Sequence, residues 1–233
     1  KRWTKAYQQE IIASRVESGK LLYQSLKQLP NQVKAVISAS AIGWYGTDDP
    51  YQKRPFTEGD PQGGNFLSWV CNLWEGSVKP IETLGKRLVV FRFGVVISKD
   101  QGMLKEIGRF LPFRSVPILG SGKQMLSWIH MDDLCRMLLF GIQNNTIAGI
   151  YNACSSEPLP LAEFTKRIAK RQYGPFYIPL PVPSLMIKLM LGKKGEEMVL
   201  NGTWVSNKKI VQEKFPFKYP LLDNNCIDNL HID

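Results

Sequence analysis

The sequence predicts an α/β protein built on a doubly wound parallel sheet, followed by a smaller C-terminal α/β lobe. Two apolar runs, 33–41 and 87–98, are rich in β-branched residues, which is typical of parallel strands buried on both faces. A segment with helical spacing lies between them, so the order strand, helix, strand predicts a right-handed crossover. With 233 residues, the chain is long enough to bury a sizeable core.

The elements follow in order from local patterns. Residues 4–29 place apolar side chains, among them Leu21, Leu22 and Leu29, between charged ones, which predicts one amphipathic helix that ends before Pro30. A loop rich in Gly, Pro and Asp follows the first strand, and a second helix is predicted to begin at Phe66. The next predicted elements are a helix over 103–113 and an irregular stretch from Pro117 into a helix over 131–143. A short strand over 149–155 and a helix over 160–172 follow. The rest of the chain is predicted to form a proline-rich entry to an apolar helix over 177–194 and a mixture of helix and loop over 196–233.

The composition excludes several functional classes. The chain carries 30 basic and 20 acidic side chains, a formal net charge of +10, but the basic residues are dispersed along the sequence. Dispersed charge is typical of a solvated surface, so we expect no nucleic-acid partner, although a basic nucleic-acid-binding module stays a third alternative. No apolar stretch is long enough to cross a membrane, and the first residues lack the apolar core of a signal peptide. These features predict a cytoplasmic protein with no membrane partner.

The cysteines and histidines give no sign of a metal site. The four cysteines form no C-x-x-C pair, which predicts reduced thiols. Neither of the two histidines has a Cys or His at ligand spacing, so we expect no zinc and no other bound metal.

The ends of the two strands are the candidate ligand site, because doubly wound sheets bind ligands beyond the carboxyl ends of their strands. The first strand ends in small residues, and a serine hydroxyl there can donate a hydrogen bond to a reacting carbonyl. A close-packed strand terminus explains the same residues equally well. The residues concerned are Ser38, Ala39 and Ser40 on the first strand and Phe93, Gly94, Val95 and Val96 on the second.

Several short motifs occur in a fixed order along the chain: SASAIGWYG, TEGDP, a helix that ends in WE, RFGVV, GSGKQMLSWIHMDD and GIYNACS. They are followed by PLPVPSLMIKLMLG and NGTWVSNKKIVQEKFPFKYP. Together they resemble an atypical branch of the extended short-chain dehydrogenase/reductases, whose members are described as NAD-dependent or nucleoside-diphosphate-sugar epimerases. The resemblance covers essentially the whole chain and includes the C-terminal domain of unknown function of that branch.

The resemblance implies a truncated Rossmann-like fold with NADP, or NAD, as cofactor and a small-molecule substrate. It places a partial dinucleotide-binding domain at 1–100 plus 129–155 and a substrate lobe at 101–128 plus 156–233. It also implies that the strand-end residues named above hold the cofactor and that the protein forms a homodimer. The implied catalytic residue is Ser40, which matches the serine or threonine position of the family. Cys71, on the matching helix, is a second catalytic candidate, and a buried packing thiol explains it as well. The implied substrate contacts are Gly120, Ser121, Gly122, Trp128 and His130. A structural role at the start of a helix explains His130 as well, since Asp132 and Asp133 suit the first turn of that helix.

This chain departs from the family pattern in three ways. It has no G-x-x-G-x-x-G turn for the cofactor pyrophosphate, so roughly 70–80 residues of the family fold would precede Lys1. The Tyr-x-x-x-Lys pair is missing, and the matching helix offers Cys71, Trp74 and Glu75 instead. Leu126 stands where nucleotide-sugar epimerases carry an arginine that clamps the substrate diphosphate.

Two hypotheses of different classes follow. One is an NAD(P)-dependent epimerase or oxidoreductase that acts on an unidentified small substrate. The other is a cofactor-binding sensor or scaffold protein that keeps the fold and has lost the chemistry, since the usual Tyr and Lys are missing.

Overall fold

The computed structural model describes residues 3–49, 51–98, 101–192 and 195–230. The strands are β1 (Ala35–Ala41), β2 (Arg87–Phe93), β3 (Val95–Ile97), β4 (Ser115–Leu119), β5 (Met125–Leu126), β6 (Trp128–His130), β7 (Gly149–Ala153), β8 (Leu159–Pro160) and β9 (Ile178–Val182). The α-helices are α1 (Lys5–Gln28), α2 (Phe66–Val78), α3 (Gly102–Gly108), α4 (Met131–Gln143), α5 (Leu161–Tyr173), α6 (Ser184–Leu191), α7 (Lys208–Gln212) and α8 (Asn224–Asp228). Short 3₁₀ turns lie at Ile42–Tyr45, Lys79–Leu84 and Leu111–Phe113, and a π turn lies at Glu196–Leu200.

A parallel sheet in the order β1–β2–β7 confirms the predicted α/β class. β1 pairs with β2 from Ala35 opposite Arg87 to Ala41 opposite Phe93. Both faces of this sheet are covered, as the apolar strand composition requires. Apolar residues of α1 and α2 pack on one face, and apolar residues of α4 and the segment that follows α7 pack on the other.

The prediction of one strand over 87–98 is wrong in one detail, because the strand is divided at Gly94. β2 ends at Phe93, and the chain then enters β3, which pairs in parallel with β6 in a separate two-stranded sheet. The cause is a close backbone approach: a Cβ on Gly94 would lie 2.7 Å from the carbonyl oxygen of Ser127. Glycine is the residue that lets the two strands come together at this point.

Two other regions hold more regular structure than predicted. The stretch from Pro117 to the start of α4 contains β4 in part, β5 and β6, each only a few residues long, and such short strands carry a weak sequence signal. The proline-rich entry to α6 forms β9, which pairs in parallel with β4. Prolines are tolerated there because β9 lies at the edge of its sheet, where an N–H need not join a ladder.

Helix α1 has the predicted bounds, but its apolar stripe is only partly buried. Gly19 is its buried residue and lies against Ser77 of α2, whereas Leu21 and Leu29 are 65% and 61% exposed. Because the helix packs on α2 through one narrow face, the apolar residues on its other faces remain in solvent. Among the described residues, no helix has both the length and the apolar character needed to cross a membrane.

The C-terminal lobe packs around a second hydrophobic core, to which α3, α5 and α8 contribute and which Ile97 of β3 joins. Asp133, in the first turn of α4, joins this lobe to the sheet. Its fully buried carboxylate accepts hydrogen bonds from the backbone N–H groups of Lys218 and Tyr219 at 2.8 and 2.7 Å, and from Arg136 at 2.8 Å. The carboxylate therefore holds the C-terminal segment against the N-terminus of α4.

Candidate functional site

The structure brings the two predicted strand ends together at one edge of the sheet. Ala41, directly after Ser40, pairs with Phe93, and Phe93 in turn pairs with Ala153 of β7. Paired strands lie about 4.8 Å apart, so the carboxyl ends of all three strands form one continuous edge. Ser38 and Ser40 point to the face covered by α2, and both are buried.

Ser40 belongs to a buried polar cluster. Its hydroxyl donates to Oε1 of Glu75 at 2.6 Å. The guanidinium of Arg92 donates from Nε to Oε1 and from Nη2 to Oε2 of the same carboxylate, at 2.8 and 2.9 Å. Arg92 and Glu75 are 1% and 9% exposed. A charge pair this far from solvent is stable only when both partners are fully hydrogen-bonded, and this two-point contact meets that condition.

The cluster continues from Arg92 toward β7. Nη1 of Arg92 donates to the hydroxyl oxygen of Tyr45 at 3.0 Å, and that hydroxyl donates to Oδ1 of Asn152 at 2.7 Å. The guanidinium also lies over the ring of Trp44, 3.9 Å from the ring centroid, a cation–π contact. Burial raises the pKa of Tyr45 to about 12 in spite of the nearby guanidinium. Tyr45 is therefore a neutral hydrogen-bonding group at physiological pH.

Sequence reasoning missed Arg92, Tyr45 and Asn152 as members of the site, and it named Glu75 only as a residue on the matching helix. One signal was present: Arg92 is a charged residue inside the apolar run 87–98, and a buried charge needs a partner. The identity of that partner depends on how α2 lies across β1 and β2, which spacing along the chain does not specify.

Cys71 lies beside this cluster, but in a state that does not favour nucleophilic chemistry. It is 4% exposed, and its thiol is directed to the carbonyl oxygen of Ala41 at 3.6 Å. Burial, and next the negative charge of Glu75, raise the pKa of Cys71 to about 11, so the thiol is protonated at neutral pH. The geometry is that of a packing thiol, and a catalytic role for Cys71 stays a prediction.

The predicted cofactor residues on the second strand have structural roles of their own. Gly94 is required by the close approach of Ser127, as described above. Phe93 and Val96 are half-buried against the core between the sheet and α4, and Val95 packs against the core of the C-terminal lobe. Their place at the carboxyl edge suits a ligand, but the structure does not require one to explain them.

The predicted substrate residues lie farther along the chain, within the C-terminal lobe or at its boundary. Gly120, Ser121 and Gly122 form the turn between β4 and β5, and a Cβ on Gly122 would lie 2.6 Å from that of Ala162. Gly122 also has a φ of +69°, so close packing and backbone conformation both require glycine there. Trp128 is fully buried and donates from Nε1 to the carbonyl oxygen of Glu157 at 2.8 Å. A substrate contact through the buried indole stays a prediction.

His130 acts as the N-cap of α4, because its Nδ1 accepts from the backbone N–H of Asp132 at 3.1 Å. The ring is 5% exposed and lies 4.1 Å from the ring of Tyr219, centroid to centroid. Burial lowers the pKa of His130, so the imidazole is neutral at neutral pH. These contacts favour the structural interpretation of His130, and its contact with a substrate stays a prediction.

Comparisons with protein families and with curated proteins find relatives that match nearly the whole chain. Residues 182–226 match a family described as a domain of unknown function (DUF1731). Epimerase family protein SSP1921 of Staphylococcus saprophyticus is 35% identical over 241 residues, which cover 99% of this chain and 76% of that protein. Epimerase family protein YfhF of Bacillus subtilis is 32% identical and covers 95% of this chain and 71% of that protein.

Solved structures show the same likeness in three dimensions. The crystal structure of human epimerase family protein SDR39U1 (isoform 2) with NADPH matches with a TM-score of 0.86 and 26% identity, over 99% of this chain and 76% of that one. The nucleoside-diphosphate sugar epimerase from Corynebacterium glutamicum matches with a TM-score of 0.76 and 27% identity, over 98% of this chain and 44% of that one. The chain therefore belongs to the epimerase family, an atypical branch of the extended short-chain dehydrogenase/reductases.

Proposed function

We propose that this chain carries the serine strand and the substrate lobe of an NAD(P)-dependent epimerase or oxidoreductase that acts on a small, unidentified substrate. One observation supports the proposal most directly. Ser40 and Phe93 lie at one carboxyl edge and residues 94–96 follow directly after it, in a fold that matches, with a TM-score of 0.86, a relative crystallised with NADPH. Ligands of doubly wound sheets bind at that edge.

The residues at this edge fit one end of a dinucleotide. Ser38, Ala39 and Ser40 carry small side chains near the end of β1, and Phe93 lies beside that end on β2. A small side chain at a strand end lets a flat ring approach the backbone beyond it. When bound, the nicotinamide would donate or accept a hydride. The sequence has no glycine-rich turn for the pyrophosphate, so this chain supplies residues for the nicotinamide end only. We propose NADP, with NAD as the alternative.

Other features of the proposal are predictions about the whole protein. The division into a dinucleotide-binding part, 1–100 plus 129–155, and a substrate lobe, 101–128 plus 156–233, is proposed from the family resemblance. A second hydrophobic core, formed by residues of 101–128 and 156–233 together with Ile97, supports it. Formation of a homodimer, the absence of a nucleic-acid partner and a cytoplasmic location also stay predictions.

A second candidate function is a cofactor-binding sensor or scaffold without catalytic turnover. The site offers no tyrosine and lysine pair on α2, and its thiol, Cys71, is protonated at neutral pH. This candidate predicts that NADPH binds and that no carbonyl or sugar substrate is turned over.

The test uses the complete polypeptide, including any residues that precede Lys1. We expect NADPH to change its fluorescence on binding and to raise the melting temperature of the protein, whereas the 233-residue chain alone binds weakly or not at all. Failure of the complete polypeptide to bind NADPH or NADH would refute the proposed function. Turnover across a panel of carbonyl compounds and sugars separates the two candidates. Ser40→Ala should abolish that turnover, while Ser14→Ala on the exposed surface of α1 is the matched control.

A further inference from the structure

We infer that β9 and α6 form a surface that docks on an anionic lipid bilayer, with its apolar side chains at the boundary between headgroups and acyl chains. This docking surface consists of residues 176–190 together with Phe113 and Arg114. The inference goes beyond the proposed function, which does not use this surface. The expectation of no membrane partner rests on the lack of an apolar stretch long enough to cross a bilayer, and that lack does not bear on attachment to its surface.

The first observation is that α6 turns most of its apolar side chains to solvent. Ile187 is buried, whereas Leu185, Met186, Leu189 and Met190 are each more than half exposed. Residues at positions i, i+1, i+4 and i+5 lie on the same side of a helix, so these four side chains form one continuous face. A large apolar face left in solvent is typical of a surface that binds a partner.

The second observation is that β9, which leads into α6, is apolar and exposed as well. The backbone N–H of Ile178 donates to the carbonyl oxygen of Arg114 at 2.7 Å, so Phe113 lies close to the start of β9. Phe113, Phe176 and Ile178 are each more than two thirds exposed. Aromatic side chains are well suited to the boundary between lipid headgroups and acyl chains.

The third observation is that the charge of this region is complementary to that of an anionic bilayer. Residues 164–195 of the sequence include seven basic and no acidic side chains. Two of the seven, Arg167 and Arg171, pair with carboxylates outside this stretch, so a surplus of positive charge remains. Arg114 adds an exposed guanidinium at the start of β9. Each basic side chain close to an anionic lipid surface strengthens the attraction.

A second copy of this chain fits the docking surface less well than a bilayer does. A twofold interface places the same patch on both partners, so the surplus of positive charge would face itself. Pairing of β9 with a further strand is also disfavoured. The N–H of Ile178 points to β4, so the nitrogens of Pro179 and Pro181 face the open edge of β9, where they have no hydrogen to donate. A bilayer needs no such strand pairing and supplies both negative charge and an apolar interior.

The experiment is co-sedimentation of the complete polypeptide with vesicles of phosphatidylcholine alone and of phosphatidylcholine with about one quarter phosphatidylserine. Wild type should bind the anionic vesicles more tightly, and added salt should reduce the difference because it screens the attraction. Leu189→Gln removes an apolar side chain but keeps a good helix former, so binding to both kinds of vesicle should weaken about tenfold. Leu21→Gln is the matched control and should bind like wild type, because Leu21 is a leucine of equal exposure on α1.

Arg114→Gln separates the contribution of charge from that of apolar contact. It should weaken binding to the anionic vesicles about fivefold and leave binding to the neutral vesicles unchanged. Leu189 and Arg114 are both exposed, so the melting temperature of each variant should stay close to that of wild type. A loss of binding then reports on the surface and not on the fold.

Several results would overturn the inference. These are no binding to vesicles, equal binding to both kinds of vesicle at low salt, or the same affinity for Leu189→Gln and Leu21→Gln. If the polypeptide forms a dimer without vesicles and Leu189→Gln dissociates it, a second copy covers the surface instead. If Met186 and Met190 resist oxidation by hydrogen peroxide as well as buried Met137 does, another segment of the complete polypeptide covers it. NADPH binding, measured on the same samples, tests the proposed function separately.

Discussion

The buried carboxylate of Asp133 should be one of the most sensitive single positions of this fold. Asp133→Ala removes the acceptor of the backbone N–H groups of Lys218 and Tyr219 and of the Arg136 guanidinium. A buried donor without a partner costs about 1–3 kcal/mol, so two unpaired N–H groups, one of them only partly buried, predict a loss of about 2–4 kcal/mol in the free energy of unfolding. The structural change should be local to the contact between α4 and the C-terminal segment that contains Lys218 and Tyr219.

Asp132→Ala is the matched control. Asp132 has the same charge and lies in the same first turn of α4, but its side chain is 50% exposed. Its Oδ2 lies 3.2 Å from the exposed ammonium of Lys218 and 4.0 Å from Nδ1 of His130, and it accepts no backbone hydrogen bond from the described C-terminal segment. Urea unfolding of both variants should show a much smaller change for Asp132→Ala, and hydrogen exchange should show loss of protection at the Tyr219 amide only in Asp133→Ala. Equal losses in the two variants, or an unchanged Tyr219 amide, would refute the reasoning.

Three other predictions follow from burial and close contact. At pH 8, iodoacetamide should modify exposed Cys135 and spare Cys71 until the protein unfolds, because Cys71 is buried with a pKa of about 11; equal rates in peptide mass spectrometry would contradict this. Gly94→Ala should cost about 1–3 kcal/mol in urea unfolding, since its Cβ would meet a backbone oxygen, whereas Gly76→Ala, in open space on α2, should gain up to about 1 kcal/mol. Burial lowers the pKa of His130 in the folded protein. As the pH drops below about 6.5, the unfolded chain therefore takes up a proton more readily than the folded one, and the free energy of unfolding should fall. His130→Asn keeps an N-cap acceptor but does not titrate, so its stability should change less between pH 7 and pH 5, and an unchanged pH dependence would show the assignment to be wrong.

Helices and strands with a clear repeating pattern of apolar residues were predicted well from the sequence. The helix that ends before Pro30, the strand that ends at Ala41 and the helix over 131–143 have the expected bounds within two residues. Their patterns are long, and a clear start or stop residue marks at least one end. The division at Gly94 was missed because the sequence pattern of an apolar run does not show whether the run forms one strand or passes from one sheet to another.

The sequence predicted where the candidate site lies in the fold but not which side chains contact each other there. The edge that holds Ser40 and Phe93 follows from the parallel order of the strands, which local patterns reveal. The hydrogen-bond partners of Ser40 do not follow, because Glu75 and Arg92 lie 35 and 52 positions farther along the chain and meet it only when α2 packs on the sheet. The role of Trp128 was also beyond the sequence, since an indole can line a cleft or fill a core with equal ease.

The amino-acid sequence by itself determined the α/β class, the parallel pairing of the two strands and the family, because periodicity and motif order are local properties of the chain. Only the tertiary structure decided the electrostatics of the site. The protonation of Cys71, the pairing of Arg92 with Glu75 and the direction in which Ser40 donates its hydrogen all depend on burial and on contacts between distant residues. The energies of charges and hydrogen bonds change most on removal from water, and only the folded arrangement shows which groups are removed.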